Sequence, residues 1–220
     1  MTVTIIDYGL SNLLSVQRAF EHCGAKVKFA SSPDGVLSAE ALVLPGVGAF
    51  ADGMAGLQRL ELCKPIKEKV SGGTPFLGIC LGMQMMFDSS TENGTTEGLG
   101  LIAGSVELMP STDTDGNPLR IPHVSWEPLI LNNESCNPAL NLIKEPACMG
   151  EFYFVHSYEA KPRDIDSALA SCVYGGRKVC AVAANAKGNA IGCQFHPEKS
   201  VEAGLSLIKN FLNRCENGAQ

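Results

Sequence analysis

An apolar run opened by Thr74-Pro75 passes straight from strand character to helical character across Gly78-Ile79-Cys80-Leu81-Gly82, with no loop residues between. A strand that turns this sharply into a helix holds the residue at the turn on a tight backbone. The positions two before and two after it then need small residues, because a larger side chain would meet adjacent strands. The pattern is a G-x-C-x-G elbow, the thiol counterpart of G-x-S-x-G, and it belongs on a sheet with neighbouring strands on both sides. A helical stretch expected over residues 80–87 would aim its first N–H groups and positive dipole end at the sulfur, favouring thiolate. Taken alone, a cysteine in such a run is most often a small buried hydrophobe.

The rest of the chain supplies a suitable sheet. Residues 3–6 are a β-branched apolar run ahead of Asp7-Tyr8-Gly9, and Leu13, Val16, Phe20 and Cys23 then recur at helical spacing up to Gly24. Further strands are expected at 25–30, 41–44 and 76–79, with a helix beyond Ala49. In the second half, Pro-, Asn- and Asp-rich breaks at 110–122 and 132–138 separate short strand candidates at 152–155, 168–174, 179–184 and 190–195, some of them antiparallel. An amphipathic helix at 200–214 carries Leu205, Ile208, Phe211 and Leu212 on one face. Strands alternating with helices predict an α/β fold of three layers, a mostly parallel central sheet covered on both faces, as one domain over 1–220.

Composition narrows the partners. A net charge of −6 without Lys/Arg runs provides no basic footprint for nucleic acid or an anionic membrane. The longest apolar stretches, at 41–57 and 74–87, are broken by Gly, Pro or Asp and are too short to span a bilayer. Nine cysteines include no pair at C-x-x-C spacing, which argues against a zinc site, a redox dithiol or a disulfide framework and fits a reducing cytoplasm. The N-terminus has no basic segment before Asp7, so no secretory signal is expected.

A thiol nucleophile needs a base, and the base needs a group to orient it. His22 falls near the end of the first helix, His123 in an expected loop between prolines, and His156 at the end of an apolar strand. His196 stands in Phe195-His196-Pro197-Glu198 at a strand end, where residues two apart point the same way and Pro197 stiffens the backbone. Glu198 can therefore fix the imidazole and stabilise its charged form. Alone, His-Pro-Glu is an ordinary strand end before a helix. Beside a G-x-C-x-G elbow in a parallel sheet, whose strand C-termini gather on one edge, it points to a Cys80-His196-Glu198 triad. Acyl transfer also needs oxyanion donors, and Pro45-Gly46-Val47-Gly48 after the third strand lets backbone N–H groups approach closely, with the N–H of Leu81 as the second donor.

These blocks resemble, in order and over essentially the whole chain, those of the class I, or triad, glutamine amidotransferases, and within them the glutaminase subunits of imidazole glycerol phosphate synthases. The resemblance rests on Asp7-Tyr8-Gly9 with Asn12-Leu13 and Ser15-Val16, on Pro45-Gly46-Val47-Gly48-Ala49-Phe50, and on Gly78-Ile79-Cys80-Leu81-Gly82-Met83-Gln84. Pro122-His123 with Trp126, Tyr153-Phe154-Val155-His156-Ser157-Tyr158, and Gln194-Phe195-His196-Pro197-Glu198-Lys199-Ser200 complete it. It implies a flavodoxin-like amidotransferase fold in which Cys80 attacks the side-chain amide of L-glutamine, His196 serves as base and then acid, and Glu198 orients it. Gly46, Val47, Gly48 and Leu81 match the oxyanion elements, and Gln84, Ser157 and Tyr158 the glutamine pocket. No metal or organic cofactor is implied.

With 220 residues occupied by the glutaminase fold, the ammonia is expected to be used on another chain. The resemblance implies a (β/α)8-barrel cyclase subunit fed through an internal channel, with Asn12, His123, Trp126 and Lys199 near the partner face. Trp126 suits a core anchor equally well. Two features depart from the family pattern: Ser11 where glycine is usual, and Ser125-Trp126-Glu127 where Gly-Trp-Asn is usual. Both fall on the partner side. The alternatives are a glutaminase feeding another synthase, such as one that amidates surface sugars, a non-catalytic scaffold of the same fold, and a thiol protease.

Overall fold

The computed structural model describes residues 1–144 and 150–216, so Cys148 lies outside the described residues. The first half alternates strands and helices: β1 (Thr2–Ile6), α1 (Leu13–His22), β2 (Lys26–Ala30), α2 (Pro33–Leu37), β3 (Leu42–Gly46), α3 (Phe50–Arg59), α4 (Cys63–Ser71), β4 (Phe76–Cys80) and α5 (Leu81–Gln84). There follow β5 (Phe87–Ser90), β6 (Thr96–Glu97), β7 (Ile102–Leu108), β8 (His123–Pro128) and β9 (Ile130–Leu131). The chain ends with β10 (Glu151–His156), β11 (Tyr158–Pro162), β12 (Ala168–Tyr174), β13 (Arg177–Ala184), β14 (Ala190–Cys193) and α6 (Val201–Glu216).

Eight strands form the central sheet in the order β2-β1-β3-β4-β14-β13-β12-β9. From β2 to β14 the neighbours are parallel, and β13, β12 and β9 continue antiparallel. The α/β sheet, parallel at its centre with antiparallel strands from the second half, is the expected one. Except for the exposed edge strand β2, the parallel strands are buried on both sides, and alternate residues enter different cores. Val3, Ile5, Val43, Leu77 and Ile79 pack with Val16 and Phe20 of α1 and Leu207, Ile208 and Phe211 of α6. Ile6, Leu42, Leu44 and Phe76 pack on the other face with Val36, Met54, Leu57, Ile66 and Val70 of α2, α3 and α4. The helices start on local signals: the Asn12 side chain accepts from Ser15 N–H at α1, and Ser32 accepts from Gly35 N–H ahead of Pro33 at α2.

Two smaller sheets flank this core. β10 pairs antiparallel with β8, and a four-stranded sheet runs β11-β7-β5-β6. Among the described residues no helix is long and apolar enough to cross a membrane.

Three local expectations are corrected. The helix expected over 80–87 is a single turn, Leu81–Gln84, because the carbonyls of Met85 and Met86 are taken by the N–H groups of Leu99, Leu101 and Ile102, which pull the chain into β5. A helix this short contributes its free N–H groups rather than a developed macrodipole. His123 opens a strand instead of sitting in a loop, since it pairs across β8 and β10 with His156. Trp126 anchors no core: it is 43% exposed and tilts against Tyr153 on the outer face of that ribbon.

Candidate active site

β1, β3, β4 and β14 run parallel side by side, so their C-terminal ends share one edge of the sheet, the usual place for a site in an open α/β fold. Cys80 closes β4 with φ 53° and ψ −109°, a left-handed backbone that costs a side-chain-bearing residue of the order of 1–3 kcal/mol and persists only where its surroundings enforce it. The enforcement is visible at the two glycines. A Cβ on Gly82 would overlap the Leu44 carbonyl of β3, and one on Gly78 would lie 2.8 Å from the Gly82 oxygen and 2.6 Å from Met86 Sδ. The elbow is thus a consequence of strand and helix packed at backbone distance.

β14 leads to the candidate base. Beyond Cys193 the chain continues through Gln194 and Phe195 to His196, whose N–H bonds the Tyr153 carbonyl of β10. His196 Nδ1 lies 2.8 Å from Glu198 Oε1, and the imidazole shares the cleft floor with Cys80 on its other side, so thiol, imidazole and carboxylate form one row. The Glu198 side chain is 2% exposed and its Oε2 has no partner, so the charge 2.8 Å away on His196 is what offsets its burial. Burial alone would lower the His196 pKa, but the contacts with Cys80 and Glu198 outweigh it and raise it to about 9. At His123 burial, helped by the neighbouring His156, pulls the pKa down to about 4, and burial does the same at His156. Of the three imidazoles in this region, only His196 is held in its charged form at neutral pH.

A cavity of about 370 Å³ opens over the thiol. Val47, Gly48, Cys80, Leu81, Gln84, Ser157, Tyr158, His196 and Lys199 line it, so nine of the residues expected from the sequence converge there. Glu198 stands behind His196. Gly46 ends β3 opposite Cys80 in the register of β4, and Val47 N–H is engaged, bonding the Leu10 carbonyl at 3.1 Å. Gln84 is buried rather than solvent-facing, its Nε2 donating to the Tyr158 carbonyl at 3.0 Å and to Gln194 Oε1 at 3.1 Å. A larger cavity, about 560 Å³, lies elsewhere and is lined by residues such as Leu131, Glu159, Lys161 and Cys180. Burial raises its one thiol, Cys180, to about 12, and no imidazole lines it, so the smaller cavity is the candidate active site.

Of the residues expected at a partner face, Lys199 and Trp126 both lie against the Tyr153 ring. Lys199 is on the rim of the cleft, 5.8 Å from the Tyr153 ring, Trp126 is exposed, and Asn12 is exposed while capping α1. His123 is fully buried, stacked between Phe154 and Tyr174, with Nδ1 3.0 Å from His156 Nε2. Its Nε2 lies 2.7 Å from Ser125 Oγ, which in turn donates to Glu127 Oε1 at 2.7 Å. Ser125 and Glu127 therefore extend a hydrogen-bonded row along one face of β8. The Ser11 hydroxyl is buried without a partner, and nothing in the structure explains it.

Sequence reasoning missed three groups here. Gln194, fully buried, donates through Nε2 to Cys80 Sγ at 3.8 Å; its place two residues before His196 on an alternating strand was the available signal. Glu92 reaches the cleft wall and accepts from Phe50 N–H at 2.7 Å, and no local pattern marked it. Tyr8, after β1, is buried beside Gly46. No group of three or more His, Cys, Asp or Glu side chains among the described residues is arranged to hold a metal ion.

Comparison with known proteins gives the family. Residues 4–215 match the family Glutamine amidotransferase class-I. The chain is 49% identical over 211 residues to imidazole glycerol phosphate synthase subunit HisH 1 of Legionella pneumophila (strain Lens), covering 96% of this chain and 98% of that one. It is 44% identical to the HisH subunit of Geobacillus sp. (strain WCH70), covering 97% of each. In three dimensions it superposes on a structure of PurLQS from Thermotoga maritima with a TM-score of 0.70 at 21% identity, covering 96% of this chain and 97% of that one, which is a likeness of fold. Kinship at this length and identity leaves one conclusion: the chain belongs to the class-I glutamine amidotransferases, in the family of imidazole glycerol phosphate synthase HisH subunits.

Proposed function

We propose that this chain is the glutaminase subunit of an imidazole glycerol phosphate synthase. It hydrolyses L-glutamine to glutamate and ammonia and passes the ammonia to a (β/α)8-barrel cyclase subunit, which makes imidazole glycerol phosphate and aminoimidazole carboxamide ribotide in histidine biosynthesis. The observation that carries this reading is the unbroken row Cys80–His196–Glu198 at the floor of a cleft whose wall carries Gln84 and Tyr158. The names of the HisH relatives supply the synthase. A single domain over 1–220, working in the cytoplasm without metal or organic cofactor, completes the reading, and the eight described cysteines, all free thiols, are consistent with a reducing compartment.

The chemistry follows from the row. The Cys80 thiolate attacks the carboxamide carbon of glutamine, and the resulting oxyanion is met by the Leu81 N–H and a second donor from 46–48. The His196 imidazolium gives its proton to the departing nitrogen, ammonia leaves, and a glutamyl thioester remains. Neutral His196 then takes a proton from water, the hydroxide attacks the thioester, and glutamate is released with the thiolate restored. Glu92 and Lys199 set opposite charges around the cleft, as a zwitterionic substrate requires.

Because Val47 N–H is held by the Leu10 carbonyl, one oxyanion donor is turned away, and the glycines on either side of Val47 leave that peptide free to rotate. The free chain is therefore a slow glutaminase, and nucleotide ligand on the cyclase favours the turned peptide. Glutamate release measured for the chain alone and for the cyclase complex, with and without that ligand, is expected to be fastest in the liganded complex by at least about tenfold, the gain from one well-aimed oxyanion donor. A free chain as fast as the liganded complex would overturn this reading.

A further inference from the structure

Tyr8 is buried to 1% exposure, and its hydroxyl has no hydrogen-bond partner. Burying an unmet hydroxyl costs stability, so such groups are rare and ask for a reason. The surroundings show that this one is accommodated from both sides. A Cβ on Gly46 would overlap Tyr8 Oη, and one on Gly56 of α3 would lie 2.9 Å from Tyr8 Cδ2 and 3.0 Å from the Tyr8 carbonyl. Two glycines thus clear the room in which the phenol rests on the Cα of Gly46. Burial first, then the proximity of Cys80, keeps the phenol protonated, so it is a donor.

The same loop holds the neighbouring peptide. Two residues on from Tyr8, the Leu10 carbonyl accepts the Val47 N–H. Turning the Gly46–Val47 peptide to present that N–H to an oxyanion reverses its carbonyl as well, carrying the Gly46 oxygen toward the side where Leu10 now accepts. An oxygen arriving there faces another carbonyl and needs a donor. The Gly46 oxygen is bonded to the carbon next to the Cα on which Tyr8 Oη rests.

We propose that Tyr8 is a positioning residue for glutamine hydrolysis: its hydroxyl is left unpaired in the resting loop and donates to the Gly46 carbonyl once the Gly46–Val47 peptide has turned, holding Val47 N–H in the oxyanion site. Leu10 and Tyr8 then act as the two ends of one switch, the first stabilising the closed peptide and the second the open one. This inference rests on the glutaminase reading above and on activation by the cyclase ligand.

The test is Tyr8→Phe, assayed in the cyclase complex for glutamate release with and without nucleotide ligand, together with the melting temperature of the chain. Removing an unpaired buried hydroxyl is expected to leave the melting temperature equal or higher. Losing the donor to the turned peptide is expected to cut the ratio of ligand-activated to unstimulated kcat about 3- to 10-fold with KM unchanged, the worth of one neutral hydrogen bond. An unchanged activation ratio overturns the proposal, and so does an equal fall in both rates or a lowered melting temperature, either of which marks a packing role. If the wild-type complex shows no ligand activation, the failure belongs to the reading beneath it.

Discussion

Cys80→Ala is expected to abolish glutamate release, by roughly 10⁴-fold or more, while leaving the fold intact. The size of the loss follows from the acyl mechanism, in which no other group can form the thioester. The described thiols nearest in kind are poor substitutes: burial raises Cys193 and Cys172, and neither lines the cleft. Alanine keeps the Cβ that the site already accommodates, so neither Gly78 nor Gly82 is disturbed. It also leaves His196 without the thiol contact that helps raise its pKa. Thermal unfolding within a few degrees of the wild type, together with no glutamate formed, is the predicted pair of results. Residual turnover within tenfold of the wild type would mean that Cys80 is not the nucleophile.

Glu198→Gln is expected to lower kcat by about 10²-fold or more and to move the alkaline limb of the pH profile downward. Two opposing influences set the His196 pKa: burial lowers it, and Cys80 and Glu198 raise it to about 9. The imidazolium supplies the proton for the leaving ammonia, so activity is lost as pH rises through that pKa. Glutamine at 198 still offers an oxygen to Nδ1 but no negative charge, and the buried imidazole then releases its proton at a lower pH. The change is read in kcat/KM against pH for the two proteins. A reduced rate with an unmoved alkaline limb would show that Glu198 acts only as a structural prop.

Where chemistry imposed a local spacing, the sequence was legible. The elbow glycines at 78 and 82 and the alternation of His196 with Glu198 are dictated within a few residues, and the structure puts all four groups where that spacing requires. The parallel strands β1, β3 and β4 were equally plain, since strands buried on both faces read as unbroken apolar runs. Features decided by distant partners were not legible. His123 is a strand residue only because β10 pairs with it from more than twenty residues away, and α5 stops after one turn only because 99–102 claims the Met85 and Met86 carbonyls. Gln194 and Tyr8 lay in motifs already recognised, but their aim at Cys80 and Gly46 depends on which strands become neighbours. Ser125 and Glu127, expected on the partner side, also continue a row from a buried histidine, and that row was not legible because the strand face they share is set by pairing.

The central claim, that ammonia made at Cys80 is handed to a cyclase, is tested most directly by following the nitrogen. The complex is supplied with glutamine labelled with ¹⁵N in the side-chain amide, excess unlabelled ammonium and the cyclase's nucleotide substrate, and the imidazole product is examined by mass. The account predicts ¹⁵N in the new ring, undiluted by the ammonium in solution, and no such label when Cys80 is alanine. A product carrying the unlabelled nitrogen, or glutamine consumed with no imidazole formed, would contradict it.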